Sequence, residues 1–80
     1  MRSLNQIETT AKMAARETDT AFVRVEEGPL AYRVTYASRD GQRRATQSVN
    51  KQTAQHIRFS ALLQIFVAYA ANLMEQGQVH

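Results

Sequence analysis

Apolar side chains change their spacing twice along this chain. Leu4, Ile7, Ala11 and Ala14 recur at helical intervals, and Ser3-Leu4-Asn5-Gln6 in front of them matches a capping box. This predicts a first helix running to about Arg16, with a buried stripe made mostly of Ala. Thr18-Asp19-Thr20 breaks that rhythm, and side chains alternate from Ala21 to Glu26. Glu27-Gly28-Pro29 reads as a turn. Leu30, Tyr32, Val34 and Tyr36 then alternate with Ala31, Arg33, Thr35 and Ala37, the best strand pattern in the chain. Asp40-Gly41 is a hairpin signal, and a third strand from Arg43 to Val49 follows. Asn50 is suited to cap a long helix from Lys51 to about Gln76, with Gly77 as its stop.

The order predicts an α+β fold, α-β-β-β-α, as one small domain over residues 1–80. The simplest sheet is a three-stranded antiparallel meander with both helices on one face. Leu30, Tyr32, Val34, Leu62, Ile65, Phe66 and Tyr69 are the expected core.

Phe59 to Met74 holds sixteen residues without a charge. Its apolar side chains fill roughly 200° of a helical wheel, about twice the stripe that one sheet face needs. A chain of 80 residues has a marginal core, which disulfides, metals or a partner chain usually reinforce. There is no Cys, and the only imidazoles are His56 and His80. A homodimer through Leu63, Val67, Ala70, Ala71 and Met74 is therefore expected, and no cofactor or metal. The apolar run falls short of the roughly 20 residues of a membrane span. The first residues lack the apolar segment of a secretory signal. A cytoplasmic location is expected, with no membrane partner. His56, Ser60, Gln64, Ala68, Asn72 and Gln76, four apart, form the wet ridge of the last helix.

The net charge of +3 conceals a gradient, because residues 30–58 carry six basic side chains against Asp40 alone. Eight of the ten basic residues are Arg, whose planar fork suits phosphate and carboxylate alike. Salt bridges to Glu26 and Glu27 are thus an equal use for them. Period two assigns the faces. With Val23 and Val25 inward, Phe22, Arg24 and Glu26 point outward, as do Arg33, Thr35, Arg44, Thr46 and Ser48. Arg24, Arg33, Arg43, Arg44 and Lys51 are the candidate binding residues for nucleic acid or another partner.

Known reaction chemistry finds no foothold. Gly28, Gly41 and Gly77 stand alone, so no Gly-rich phosphate loop exists, and there is neither a G-x-S-x-G elbow nor a Cys nucleophile. Glu26 and Glu27, adjacent on a strand, point to opposite faces and cannot pair as acid and base. No catalytic residues are assigned, and a non-enzymatic binding module is expected. Two classes of function fit. One is a small basic nucleic-acid-binding module. The other acts by protein–protein interaction, as an inhibitor or accessory factor of the kind phages and other mobile elements encode against a host complex, an anti-CRISPR-like protein for example.

The element order, Gly28-Pro29 before the second strand and Asn50-Lys51-Gln52-Thr53-Ala54 at the start of the last helix resemble a double-stranded-RNA-binding domain. That family grips phosphates with basic residues at the start of its last helix. Lys51 stands alone there, and the turn at Gly28-Pro29 is too short to enter a groove. The resemblance is one of element order, and its site is not carried over.

Overall fold

The structure is a computed structural model that describes residues 1–76, with side chains as far as Leu73. Its elements are α1 (Leu4–Thr18), β1 (Ala21–Glu27), β2 (Ala31–Ala37), β3 (Arg44–Asn50), α2 (Lys51–His56) and α3 (Phe59–Gln76). The strands form an antiparallel sheet in the order β1-β2-β3. α1 and α3 pack together against one face of it, as the periodicity predicts.

The start of α1 is the predicted capping box. Ser3 Oγ accepts from the Gln6 amide at 3.1 Å, and Gln6 Oε1 accepts from the Ser3 amide at 2.7 Å. The helix runs two residues past Arg16 and ends at Asp19, which adopts the left-handed conformation at φ 56°. Its buried side is Ile7, Thr10, Ala11, Ala14 and Ala15. The small Ala side chains let α3 approach closely, and α3 supplies the bulk with Leu62, Phe66, Ala70 and Leu73. Tyr32, Val34, Tyr36 and Val49 complete the core from the sheet. The Tyr36 hydroxyl donates to the Ala11 carbonyl at 2.8 Å and ties β2 to α1.

Three sequence expectations need correction. Leu30 is 78% exposed, not core. β2 begins at Ala31, so Leu30 lies in the turn with Gly28 and Pro29. Ile65 and Tyr69 are likewise only partly buried, flanking the core. Phe22 faces inward rather than outward. The register of β1 on β2 slips between Phe22 and Arg24, leaving Val23 as the extra residue of a β-bulge. The slip puts Phe22 opposite Tyr36 and Val25 opposite Val34, both on the core side. The Phe22 and Tyr36 rings meet edge to face at 6.3 Å.

The third correction is the last helix, which breaks at Ile57 and Arg58 without Pro or Gly. Ile57 is extended at φ −84° and ψ 162°. An unbroken helix over 51–76 would run about 39 Å, whereas a seven-residue strand spans about 23 Å. It could not both continue from the end of β3 and lie back over the sheet against α1. The break lets α2 stay on β2 and β3, turns α3 onto α1, and brings Ile57 against the core. Asn50 caps α2 as predicted, its side chain accepting from the Gln52 amide at 2.8 Å. The wet ridge is also as read: His56, Ser60, Gln64, Ala68 and Asn72 are exposed. Gly77 and His80 lie outside the described residues, as do the side chains of Met74 and Gln76.

Candidate nucleic-acid interface

The sheet face turned away from α1 and α3 is built from cross-strand rows. Residues opposite each other in an antiparallel pair share a face, so the register reads them off. One row is Arg24, Thr35 and Thr46, and the next is Glu26, Arg33 and Ser48. A third joins Ala21, Ala37 and Arg44. The structure thus brings together Arg24, Arg33 and Arg44 with the hydroxyls of Thr35, Thr46 and Ser48. Thr35 lies at the centre of this face yet is only 1% exposed. Its hydroxyl meets that of Thr46 at 2.7 Å, stiffening the surface between the arginines.

Glu26 shares this face. Its Oε1 is 3.4 Å from Arg24 Nε and 3.7 Å from Arg33 Nη2. One carboxylate therefore answers two of the three guanidinium groups, while Arg44 has no carboxylate within ion-pair distance among the described residues. The sequence offers a salt bridge to Glu26 as an equal use of the arginines, and the structure has it to both Arg24 and Arg33. The usable signal was its spacing of two from Arg24, on the same side of one strand.

Arg43 and Lys51 do not join the three. Arg43 sits in the β2–β3 hairpin beside Asp19, Ser38, Arg39 and Asp40, and its Nε is buried without a partner. Its amide donates to Ser38 Oγ at 3.0 Å. Asp40 accepts from the Ser38 hydroxyl at 2.6 Å and the Gln42 amide at 2.9 Å, and the hydroxyl bond above all holds its carboxyl below its ordinary value. Gly41 follows at φ +75°, the left-handed geometry for which Asp-Gly turns are suited. Arg39, unassigned from the sequence, pairs with Asp19 at 3.1 Å across the surface. Lys51 lies at the other end of the sheet, bound to Glu27 at 2.7 Å with its ammonium over the Tyr32 ring.

Of the dimer residues read from the sequence, Leu63, Val67 and Ala71 are partly buried on α3. Ala70 is 0% exposed and is used within the chain's own core. The side chain of Met74 is outside the described residues. No cluster of His, Asp or Glu among the described residues is arranged to hold a metal ion. No described helix is long and apolar enough to cross a membrane. No protein-family model, curated protein or solved structure matches this chain.

Proposed function

We propose that this chain is a non-enzymatic binding module of the cytoplasm that engages nucleic acid through phosphate contacts on its open sheet face. The observation that carries the reading is the gathering of Arg24, Arg33 and Arg44 on the one face that neither α1 nor α3 covers. Guanidinium groups beside hydroxyls are the donors that phosphate oxygens accept. The aromatic residues narrow the ligand. Phe22, Tyr32 and Tyr36 lie on the core side of the sheet, and Phe59, Phe66 and Tyr69 belong to α3. None offers a base-stacking platform on the open face, which single-stranded ligands generally require. The ligand is a duplex held by its backbone.

Titrating a labelled duplex at rising salt tests this. Three phosphate contacts give a log–log slope of about −2.7, or about 40-fold weaker binding between 50 and 200 mM salt. Arg33→Glu with Arg44→Glu should abolish binding while the circular dichroism stays unchanged, since neither side chain is in the core. Unaltered binding by the folded double variant would remove this face from consideration.

A second reading, an inhibitor or accessory factor directed at a host protein complex, is favoured by the apolar flank of α3. Phe59 is 46% exposed, and Leu63 and Val67 are half-buried nearby on the same helix. A host-protein complex that survives nuclease treatment and is lost in Leu63→Glu with Val67→Glu would select this reading over the first.

A further inference from the structure

The two edges of the sheet are built differently. β1 carries the bulge at Val23 and the charged side chains of Arg24, Glu26 and Glu27, and both features discourage edge pairing. β3 has neither protection over most of its length. Its register with β2 is unbroken from Arg44 to Asn50, and no charged side chain occurs from Ala45 to Asn50.

Two hydrogen bonds establish which backbone groups of β3 point outward. Ser38 donates its amide to the Arg43 carbonyl at 2.9 Å, and Lys51 donates to the Leu30 carbonyl at 2.9 Å. Both pairs lie on the same register, so bonded pairs alternate between them: Tyr36 with Ala45, Val34 with Gln47, Tyr32 with Val49. Arg44, Thr46 and Ser48 fall in the intervening pairs and turn their N–H and C=O groups away from β2. Among the described residues only the Ser48 carbonyl has a partner, the Tyr69 hydroxyl at 2.8 Å. The Tyr69 contact also places one flank of α3 above this edge.

We infer that the β3 edge pairs antiparallel with the β3 edge of a second copy of this chain, about a two-fold axis normal to the sheet. An isologous contact brings a patch against itself. Like charges near the axis would repel, and the edge from Ala45 to Asn50 has none. Ile65 and Tyr69, one turn apart on α3 and only partly buried, lie on the flank that would approach its own counterpart. Such an axis keeps both open faces on the same side of a six-stranded sheet. The Arg24, Arg33 and Arg44 sets then continue across the junction, a consequence that rests on the nucleic-acid reading, whereas the pairing itself does not.

Light scattering and amide hydrogen exchange, both without nucleic acid, test the pairing. The wild type should reach twice the mass of one chain between micromolar and millimolar concentration, with the Thr46 and Ser48 amides becoming protected as it does so. Thr46→Lys should remain a monomer with unchanged circular dichroism and fast-exchanging edge amides. Should that variant fail to fold, Ser48→Lys places the same repulsion at the next outward position. Leu63→Glu with Val67→Glu, on another side of α3, should still dimerise. A single-chain mass up to millimolar concentration overturns the inference. So does a dimer that persists in the folded Lys variants, or one dissolved by the Leu63 and Val67 substitutions. Dimerisation through β3 without duplex binding would uphold the pairing and remove the nucleic-acid reading.

Discussion

The side-chain amide of Gln55 holds the backbone of Arg2 from both sides. Gln55 Oε1 accepts from the Arg2 amide at 2.6 Å, and Gln55 Nε2 donates to the Arg2 carbonyl at 2.9 Å. The same Nε2 donates to the Tyr32 hydroxyl at 2.7 Å, while Arg2 Nη1 donates to the Ala54 carbonyl at 2.7 Å near the end of α2. The residues ahead of α1 are thereby fastened to a helix more than fifty positions away in sequence. The clamp joins the start of the chain to the end of α2, and Arg2 supplies a cation at that helix C-terminus.

Gln55→Ala should cost about 1–2 kcal/mol, because it removes three partly buried hydrogen bonds of modest net value. For a domain of this size the melting temperature should fall by about 4–8 °C per kcal/mol. Gln55→Glu keeps the acceptor for the Arg2 amide but cannot donate to the Arg2 carbonyl, and its melting curve should lie close to that of Gln55→Ala. Thermal denaturation of the three proteins at one concentration checks this.

Phe66 and Leu30 should respond oppositely to truncation. Phe66 is wholly buried between sheet and helices, and Phe66→Ala should cost about 3–5 kcal/mol through lost burial and a cavity. Leu30→Ala should stay within about 0.5 kcal/mol of the wild type, as exposed positions usually do. Denaturant titrations of both variants decide it, and a large loss in Leu30→Ala would mean that β2 begins earlier and is covered further along.

Tyr36 makes the fold sensitive to alkali. Burial pushes its phenol well above the ordinary value of 10.0. The folded chain therefore keeps that proton where the unfolded chain loses it. Its contribution to stability is complete below about pH 10 and declines as pH rises beyond that value. Tyr36→Phe should cost about 1 kcal/mol at neutral pH, for the hydrogen bond to the Ala11 carbonyl. It should also lose less stability than the wild type on going to about pH 11. Melting temperatures across the alkaline range read both effects.

Glu26→Gln should strengthen duplex binding and steepen its salt dependence, because it releases Arg24 and Arg33 from a shared carboxylate. The folded state should change by no more than about 1 kcal/mol, since these ion pairs are exposed. Fluorescence anisotropy on a short duplex, run at several salt concentrations, measures the gain. Weaker binding would mean that Glu26 holds the two guanidinium groups in the geometry the ligand needs.

The sequence alone determined whatever rests on local chemistry. The capping box at Ser3 and Gln6, the Asp40-Gly41 hairpin, the Asn50 cap and the alternation of Tyr32, Val34 and Tyr36 each involve residues within a few positions of one another. They were legible for that reason, and with them the element order and the antiparallel sheet. The outward arginines Arg24, Arg33 and Arg44 were legible too, because each alternates with an inward neighbour, Val25, Val34 or Ala45, on a stretch of strand that the bulge does not interrupt. Tertiary structure decided the rest. The bulge at Val23 turned Phe22 inward because only pairing with β2 reveals a one-residue slip. The break at Ile57 and Arg58 carries no Pro or Gly signal, since it answers a length mismatch between one helix and the sheet it must cover. Leu30 has the parity of a core residue but lies in the turn ahead of β2. Glu26, two positions from Arg24, reaches Arg33 only through the β1–β2 register. Ala70 faces the interior because α1 and α3 pack together, a contact set by the topology of the whole chain.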